Sequence, residues 1–245
     1  MPHFFIDQNS IQDNIITISD KENYTHIAKA LHAKIGETLL LVDENKIQYE
    51  TIVEKITSST IITKVVKSYP SKRILPLNLF LGQVVLKKEA QADAIQKACE
   101  LGVKGIYPLI SDNCIIKKSY IDSKIDKYNK LSYEASKQCE RPDIAIIYNV
   151  CELDEIINNK EFDIIIACVE KHAQLSLKEY LKTTKIKKEA KILVLIGPEG
   201  GFSEREFSML KNSGLPMVSL GNLILRADTA VVSALSNVIY GLCDE

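Results

Sequence analysis

The chain has 245 residues, 46% hydrophobic and 26% charged, with a formal net charge of −1. That composition is ordinary globular material, long enough to bury a core without staples, and its near-neutral balance excludes coating nucleic acid by bulk charge alone. No run reaches the roughly 20 apolar residues of a membrane helix. Met1-Pro2-His3 does not resemble a targeting peptide, and the six cysteines form no Cys-x-x-Cys pair, so a cytoplasmic location, reduced thiols and no metal are expected.

Residues 1–70 predict a small β-barrel domain, with short β segments at 3–6, 15–18, 38–42, 47–55 and 60–66. Asp43-Glu44-Asn45 reads as a hairpin turn. The one helix, at 24–33, places Ile27, Ala28 and Leu31 on a face and ends before Gly36. Seven basic against nine acidic residues through Pro70 give this domain a positional role. Tyr69-Pro70-Ser71-Lys72-Arg73 reads as the linker.

From 74 to 245 apolar runs alternate with helical stretches, which predicts an α/β domain, a parallel sheet with helices on both faces. Strands are expected at 77–86, 105–109, 144–148, 163–167, 192–196 and 218–220. Helices are expected at 90–101, 125–138, 153–158, 175–181, 204–211 and 229–242.

The last third of this domain carries the chemistry. Gly197-Pro198-Glu199-Gly200-Gly201 follows an apolar strand and precedes Ser203-x-x-Glu206, a capping box that starts a helix. A strand, a glycine turn and a helix N-terminus make an anion site in many folds. Here the lysine and Ser/Thr of a phosphate loop are missing, and Pro198 removes one amide donor. A tight strand-to-helix turn is the competing reading for this loop alone.

About 20 residues on, a second strand ends in Leu220-Gly221-Asn222-Leu223-Ile224-Leu225-Arg226. Ligands of open α/β sheets bind outside the carboxyl ends of strands. Two apolar glycine loops there suit a flat heterocycle held by main-chain hydrogen bonds, an adenine without charged phosphates. Only Arg73, Arg141, Arg205 and Arg226 are arginines, and each offers a planar fork that lysine lacks. Arg226 can hold an electron-rich substrate group. Asp228 reads as the N-cap of the last helix, a role compatible with chemistry.

LIGPEGGFSEREF with LGNLILRADTA resembles the RsmE family of small-subunit ribosomal RNA methyltransferases, in the SPOUT superfamily. The resemblance extends through Leu81-Gly82-Gln83-Val84, the run from Ile95 to Val103, Gln138-Cys139-Glu140-Arg141-Pro142 and the N-terminal domain. It implies S-adenosylmethionine-dependent methylation of N3 of a uridine in small-subunit rRNA within the 30S subunit, by a homodimer. It also implies a C-terminal trefoil knot over 74–245 and a PUA-like RNA-binding barrel over 1–70. By the same resemblance Ala167, Cys168, Val169, Glu170, Ile196, Gly197, Pro198, Glu199, Gly200, Gly201, Leu220, Gly221, Asn222, Leu225 and Arg226 hold the methyl donor. Arg226 and Asp228 are the catalytic candidates, and Gln138, Arg141, Lys87 and Lys88 the RNA-binding ones.

The chain departs from the family pattern in places. Asp228 stands for Glu, Ala227 for Thr, and Ser111-Asp112-Asn113 for Ser-Glu-Arg. Ala90 replaces a basic residue and Glu140 a frequent glycine. Lys117, Lys118, Lys124, Lys127, Lys130 and Lys137 form one basic cluster, and Lys182, Lys185, Lys187, Lys188 and Lys191 another. Both read as solvated faces, or as phosphate contacts if RNA binds. Another SPOUT enzyme acting on tRNA ribose or a different base, and a non-catalytic RNA-binding assembly factor, are the alternatives.

Overall fold

The computed structural model describes residues 3–187 and 189–243, with Lys88 described by its backbone alone. Lys188 and the side chain of Lys88 therefore lie outside the described residues. The chain divides into two compact units. One runs to Ile74 and also takes Ser136–Asp143; the other comprises Leu75–Ala135 and the chain from Ile144 onward.

In the first unit, β1 (His3–Phe5), β2 (Ile11–Gln12), β3 (Ile15–Ile18), β4 (Thr38–Val42), β5 (Ile47–Ile56) and β6 (Ile61–Pro70) form one sheet. Its order is β1-β4-β5-β6-β3-β2. β1 pairs parallel with β4, and the other pairs are antiparallel. Alternate positions point inward, so Phe4, Ile16, Ile18, Leu39, Leu41, Val53 and Ile61 share a core with Ile27. The turn expected at Asp43 is held by its carboxylate, which accepts the Ile47 N–H at 2.9 Å and the Tyr49 hydroxyl at 3.0 Å. Burial and that carboxylate push the Tyr49 phenol up to about 12.

The helix expected at 24–33 starts earlier, as α1 (Lys21–Tyr24), because the Asp20 side chain caps it by accepting the Asn23 N–H at 2.8 Å. It continues as a wide π-type turn over Thr25–Ala30. β6 runs on to Pro70 against the ten-residue β5, which draws Tyr69 and Pro70 of the expected linker into the sheet. Lys137 is not on a solvated face. It is buried within this unit, its Nζ 3.0 Å from His26 Nδ1 and 5.3 Å from the Phe4 ring centre.

The second unit contains β7 (Asn78–Val84), α2 (Lys88–Glu100), β8 (Gly105–Ile110), α3 (Lys118–Asp122), α4 (Ile125–Gln138), β9 (Ile146–Ile147) and β10 (Cys151–Glu152). The last turn of α4 belongs to the first unit. Then come α5 (Leu153–Ile157), β11 (Ile164–Cys168), β12 (Leu175–Ser176), α6 (Leu177–Thr183), β13 (Lys191–Ile196), α7 (Glu204–Asn212), β14 (Met217–Ser219) and α8 (Ala227–Leu242). The sheet order is β10-β8-β7-β13-β11-β14-β12, with β9 also on β8, and the pairing is parallel throughout. The strand expected at 144–148 shrinks to Ile146–Ile147. The two-residue strands β10 and β12 and the short α3 were not expected, since such short pieces show no periodicity.

Both faces of this sheet are covered, as parallel sheets require. Along β13, Ile192, Val194 and Ile196 join the core that contains Val231, Ala234, Leu235 and Val238 of α8. Leu193 and Leu195 join the opposite core, with Ile156 of α5 and Phe207 and Leu210 of α7. The continuous apolar run in the sequence is therefore two alternating faces.

Close packing predicts where this core has no slack. A Cβ on Gly82 of β7 would lie 2.5 Å from Leu195 Cδ2 and 3.3 Å from Leu109 Cδ1, both fully buried. Gly82→Ala should destabilise the protein by about 1–3 kcal/mol through overpacking. Urea denaturation checks this; an unchanged midpoint would contradict the packing described.

Candidate active site

Parallel pairing sends the ends of three neighbouring strands in one direction. Cys168 of β11 pairs with Ile196 of β13 and with Val218 of β14, so the loops that follow leave side by side. They enclose a cavity of about 660 Å³, within the usual range for small-molecule sites. Its wall includes Cys168, Val169 and Glu170 from the end of β11 onward; Ile196, Gly197, Pro198, Glu199, Gly200 and Gly201 from the end of β13 onward; and Leu220, Gly221, Asn222, Leu225 and Arg226 after β14. Ala167 is the exception among the expected donor residues: it is fully buried in β11, in the core on the α5/α7 side.

The middle loop is shaped from within. The Gly201 N–H closes a turn onto the Pro198 carbonyl at 2.9 Å, and Gly201 has φ +70°, in the left-handed region that glycine enters freely. Ser203 then caps α7 in the expected capping box, its Oγ accepting the Glu206 N–H at 3.2 Å while Glu206 accepts the Ser203 N–H at 2.8 Å.

A second segment ties the loop down. Glu206 is fully buried and also accepts the Asp112 N–H at 2.9 Å. Asp112 accepts the Ser203 hydroxyl at 2.5 Å and two guanidinium donors of Arg205 at 2.5 and 2.9 Å. Those hydrogen bonds, from Arg205 first and Ser203 second, hold the Asp112 carboxyl down at about 2. Asn113 donates to the Gly201 carbonyl at 3.0 Å and to that of Gly200 at 3.5 Å. Asp112 and Asn113 thus brace the glycine loop.

The third loop is less expected in detail. Arg226, not Asp228, occupies the N-cap position of α8. Asp228 lies in the first turn, where a carboxylate interacts favourably with the helix dipole. Both line the cavity. Among the described residues no hydrogen bond joins Asp228 to Arg226, so direct contact does not orient the guanidinium.

Charge completes the description. The wall carries four carboxylates, Glu170, Glu199, Glu204 and Asp228, against two cations, Lys171 and Arg226. A polyphosphate is a poor match for that surplus, and a cationic ligand a good one. Among the described residues no three His, Cys, Asp or Glu side chains are grouped to hold a metal ion, and no helix is long and apolar enough to cross a membrane.

The four expected RNA-binding residues are placed differently from one another. Lys87 is exposed before α2, its N–H 3.3 Å from a Glu199 carboxylate oxygen. The Lys88 side chain is outside the described residues. Gln138 is exposed at the end of α4. Arg141 is buried in the first unit, where it pairs with Asp143 at 2.8 and 2.9 Å.

Sequence reasoning missed Leu86 and Ala90 of this wall, and Lys171, Phe202 and Glu204. Leu86 and Ala90 follow β7, the neighbour of β13. Strand adjacency would have found them, but sequence alone does not supply it.

The bracing network predicts an ordering of stabilities. Among the described residues, three capping boxes end in Glu155, Glu179 and Glu206, and of these only Glu206 is buried. Glu206→Ala leaves two amides without their acceptor and should cost about 1–3 kcal/mol. Glu155→Ala and Glu179→Ala, at exposed sites, should cost less. Equal midpoint shifts for the three variants in thermal denaturation would contradict the brace.

Comparison with known proteins agrees with this geometry. Residues 73–239 match the family model for the RNA methyltransferase domain. The chain is 32% identical to ribosomal RNA small subunit methyltransferase E of Buchnera aphidicola (strain APS of subspecies Acyrthosiphon pisum), over 96% of this chain and 92% of that one. It is 33% identical to the protein of the same name from Aquifex aeolicus, over 80% and 82%. Among solved structures, a Legionella pneumophila methyltransferase in complex with its cofactor SAM superposes with a TM-score of 0.86 at 24% identity, over 99% of this chain and 98% of that one. The loops that close over one cavity, the family model and these relatives lead to one conclusion: the chain belongs to the RNA methyltransferase family, in the group of the ribosomal RNA small subunit methyltransferases E.

Proposed function

We propose that the chain transfers the methyl group of S-adenosylmethionine to N3 of a uridine in small-subunit ribosomal RNA. The observation that carries the reading is the convergence of three strand-end loops on one cavity with a surplus of carboxylates. S-adenosylmethionine joins a neutral nucleoside to a sulfonium and an ammonium against one carboxylate, which fits this wall. The backbone of 168–170, 196–201 and 220–226 would hold it. Bound there, it supplies an electrophilic methyl group and needs no metal.

The protein's own part is electrostatic. N3 of uridine is weakly acidic, and its nucleophilic form is the anion. Arg226 is an exposed cation at the start of α8 that can stabilise that anion, a kind of contribution often large in catalysis. Asp228, in the first turn of the same helix, can take up the proton. The same reading takes the C-terminal chain as a trefoil knot and the N-terminal sheet as a PUA-like barrel that positions RNA. It also takes the working form as a homodimer acting in the cytoplasm on the 30S subunit.

The test offers labelled S-adenosylmethionine with undermodified 30S subunits, naked rRNA and tRNA in parallel, followed by mapping of the product. Label at N3 of one small-subunit uridine is the expected result. No label on any RNA would contradict the reading, and label on tRNA alone would favour another SPOUT reaction. Arg226→Ala should lower kcat by about 100-fold or more, while affinity for S-adenosylhomocysteine stays within a few-fold. Parallel loss of both would contradict the role given to Arg226.

A further inference from the structure

A second cavity, of about 800 Å³, adjoins the first and shares Leu86 and Ala90 with it. Leu86 is held in place by the fully buried Gln91, whose Oε1 accepts its N–H at 2.9 Å. The remaining wall comes from the start of α2 and from the α3–α4 segment, and includes Ile116, Tyr120 and Tyr128. Of this remaining wall, Lys87 alone touches the first cavity, through its N–H on Glu199 at 3.3 Å.

Two properties set it apart. Its charge is of opposite sign: Lys87 and Lys117 against the single carboxylate of Glu89, with Lys118 exposed beside them and Lys124 carrying its Nζ 5.2 Å from the Tyr120 ring centre. It is also aromatic, with Tyr120 41% exposed and Tyr128 8% exposed. Lysines rimming an aromatic-walled cavity suit a flat base attached to phosphates, since bases stack on aromatic rings and phosphates seek cations. Enzymes that modify a base draw it out of its stack into such a pocket.

We propose that the cavity walled by Leu86, Ala90, Ile116, Tyr120 and Tyr128 receives the acceptor base extruded from the RNA, with Lys87 and Lys117 holding the flanking phosphates. This rests on the methyl-transfer reading above and deepens it. The two cavities then divide the labour by charge. The carboxylate-rich one takes the cationic donor, the lysine-rimmed one takes the polyanionic acceptor, and Leu86 and Ala90 form the boundary across which the two meet. The small side chain of Ala90 keeps that boundary apolar.

The test uses the full chain and undermodified small-subunit rRNA carrying 4-thiouridine, irradiated in the presence of S-adenosylhomocysteine, with crosslinked peptides mapped. Crosslinks at Tyr120 or Tyr128 are expected. No crosslink within 86–90 or 116–128 overturns the proposal, whatever the transfer assay gives. Crosslinks there from a protein that transfers no methyl group sink the methyl-transfer reading and leave the base pocket standing. In parallel, Tyr120→Ala should lower kcat/KM for RNA by roughly 5- to 150-fold, the usual weight of one stacked base. Tyr120→Phe should stay near wild type, and S-adenosylhomocysteine affinity should stay within twofold in both. An unchanged kcat/KM in Tyr120→Ala, or an equal loss of S-adenosylhomocysteine affinity, overturns the assignment.

Discussion

Everything in the second unit depends on β13 being buried on both faces. Ile192, Leu193, Val194 and Leu195 are fully buried and Ile196 is 3% exposed, so the strand cannot slip by one residue without exchanging its two cores. Its register with β11 and β7 is fixed by that constraint. The loop after Ile196 must then emerge beside the loops after Cys168 and Ser219. A cavity at the carboxyl ends of parallel strands is the geometric result, and the helices α5 and α7 on one side and α8 on the other supply the burial.

A cavity made of glycine loops needs external bracing, because glycine gives up more conformational freedom than any other residue on ordering. Here the brace is polar and comes from a different strand. Asp112 and Asn113, beyond β8, grip Ser203, Arg205 and the carbonyls of the glycine loop, while buried Glu206 ties the start of α7 to the Asp112 amide. With its carboxyl held near 2, Asp112 is ionised and paired well below neutral pH. Arg226 and Asp228, to which the proposed function gives the chemistry, line the same cavity and take no part in the brace.

Much of this was legible in the chain. The two apolar runs at 192–196 and 163–167, the capping box at Ser203, and the paired loops ending in Arg226 all follow from local patterns, and local patterns survive folding when burial agrees with them. What escaped was non-local. That Asn113 bonds Gly201, or that Leu86 and Ala90 share a wall with Leu220, depends on strand order, which no spacing reveals. Arg141 looked like a free RNA-binding fork, yet its side chain is buried against Asp143, two residues on. Asp228 was read as a cap because an acid before a helix usually is one. The helix instead begins two residues earlier, with the Arg226 backbone in the extended N-cap conformation.

If the three strand-end loops together form the donor site, a bound donor must order all three at once. Amide hydrogen exchange of the full chain, with and without S-adenosylhomocysteine, reads that ordering. Exchange should slow in three separate segments together, 168–171, 196–203 and 220–230, with the first unit unchanged. Protection confined to one of these loops, or appearing in the first unit instead, would contradict it.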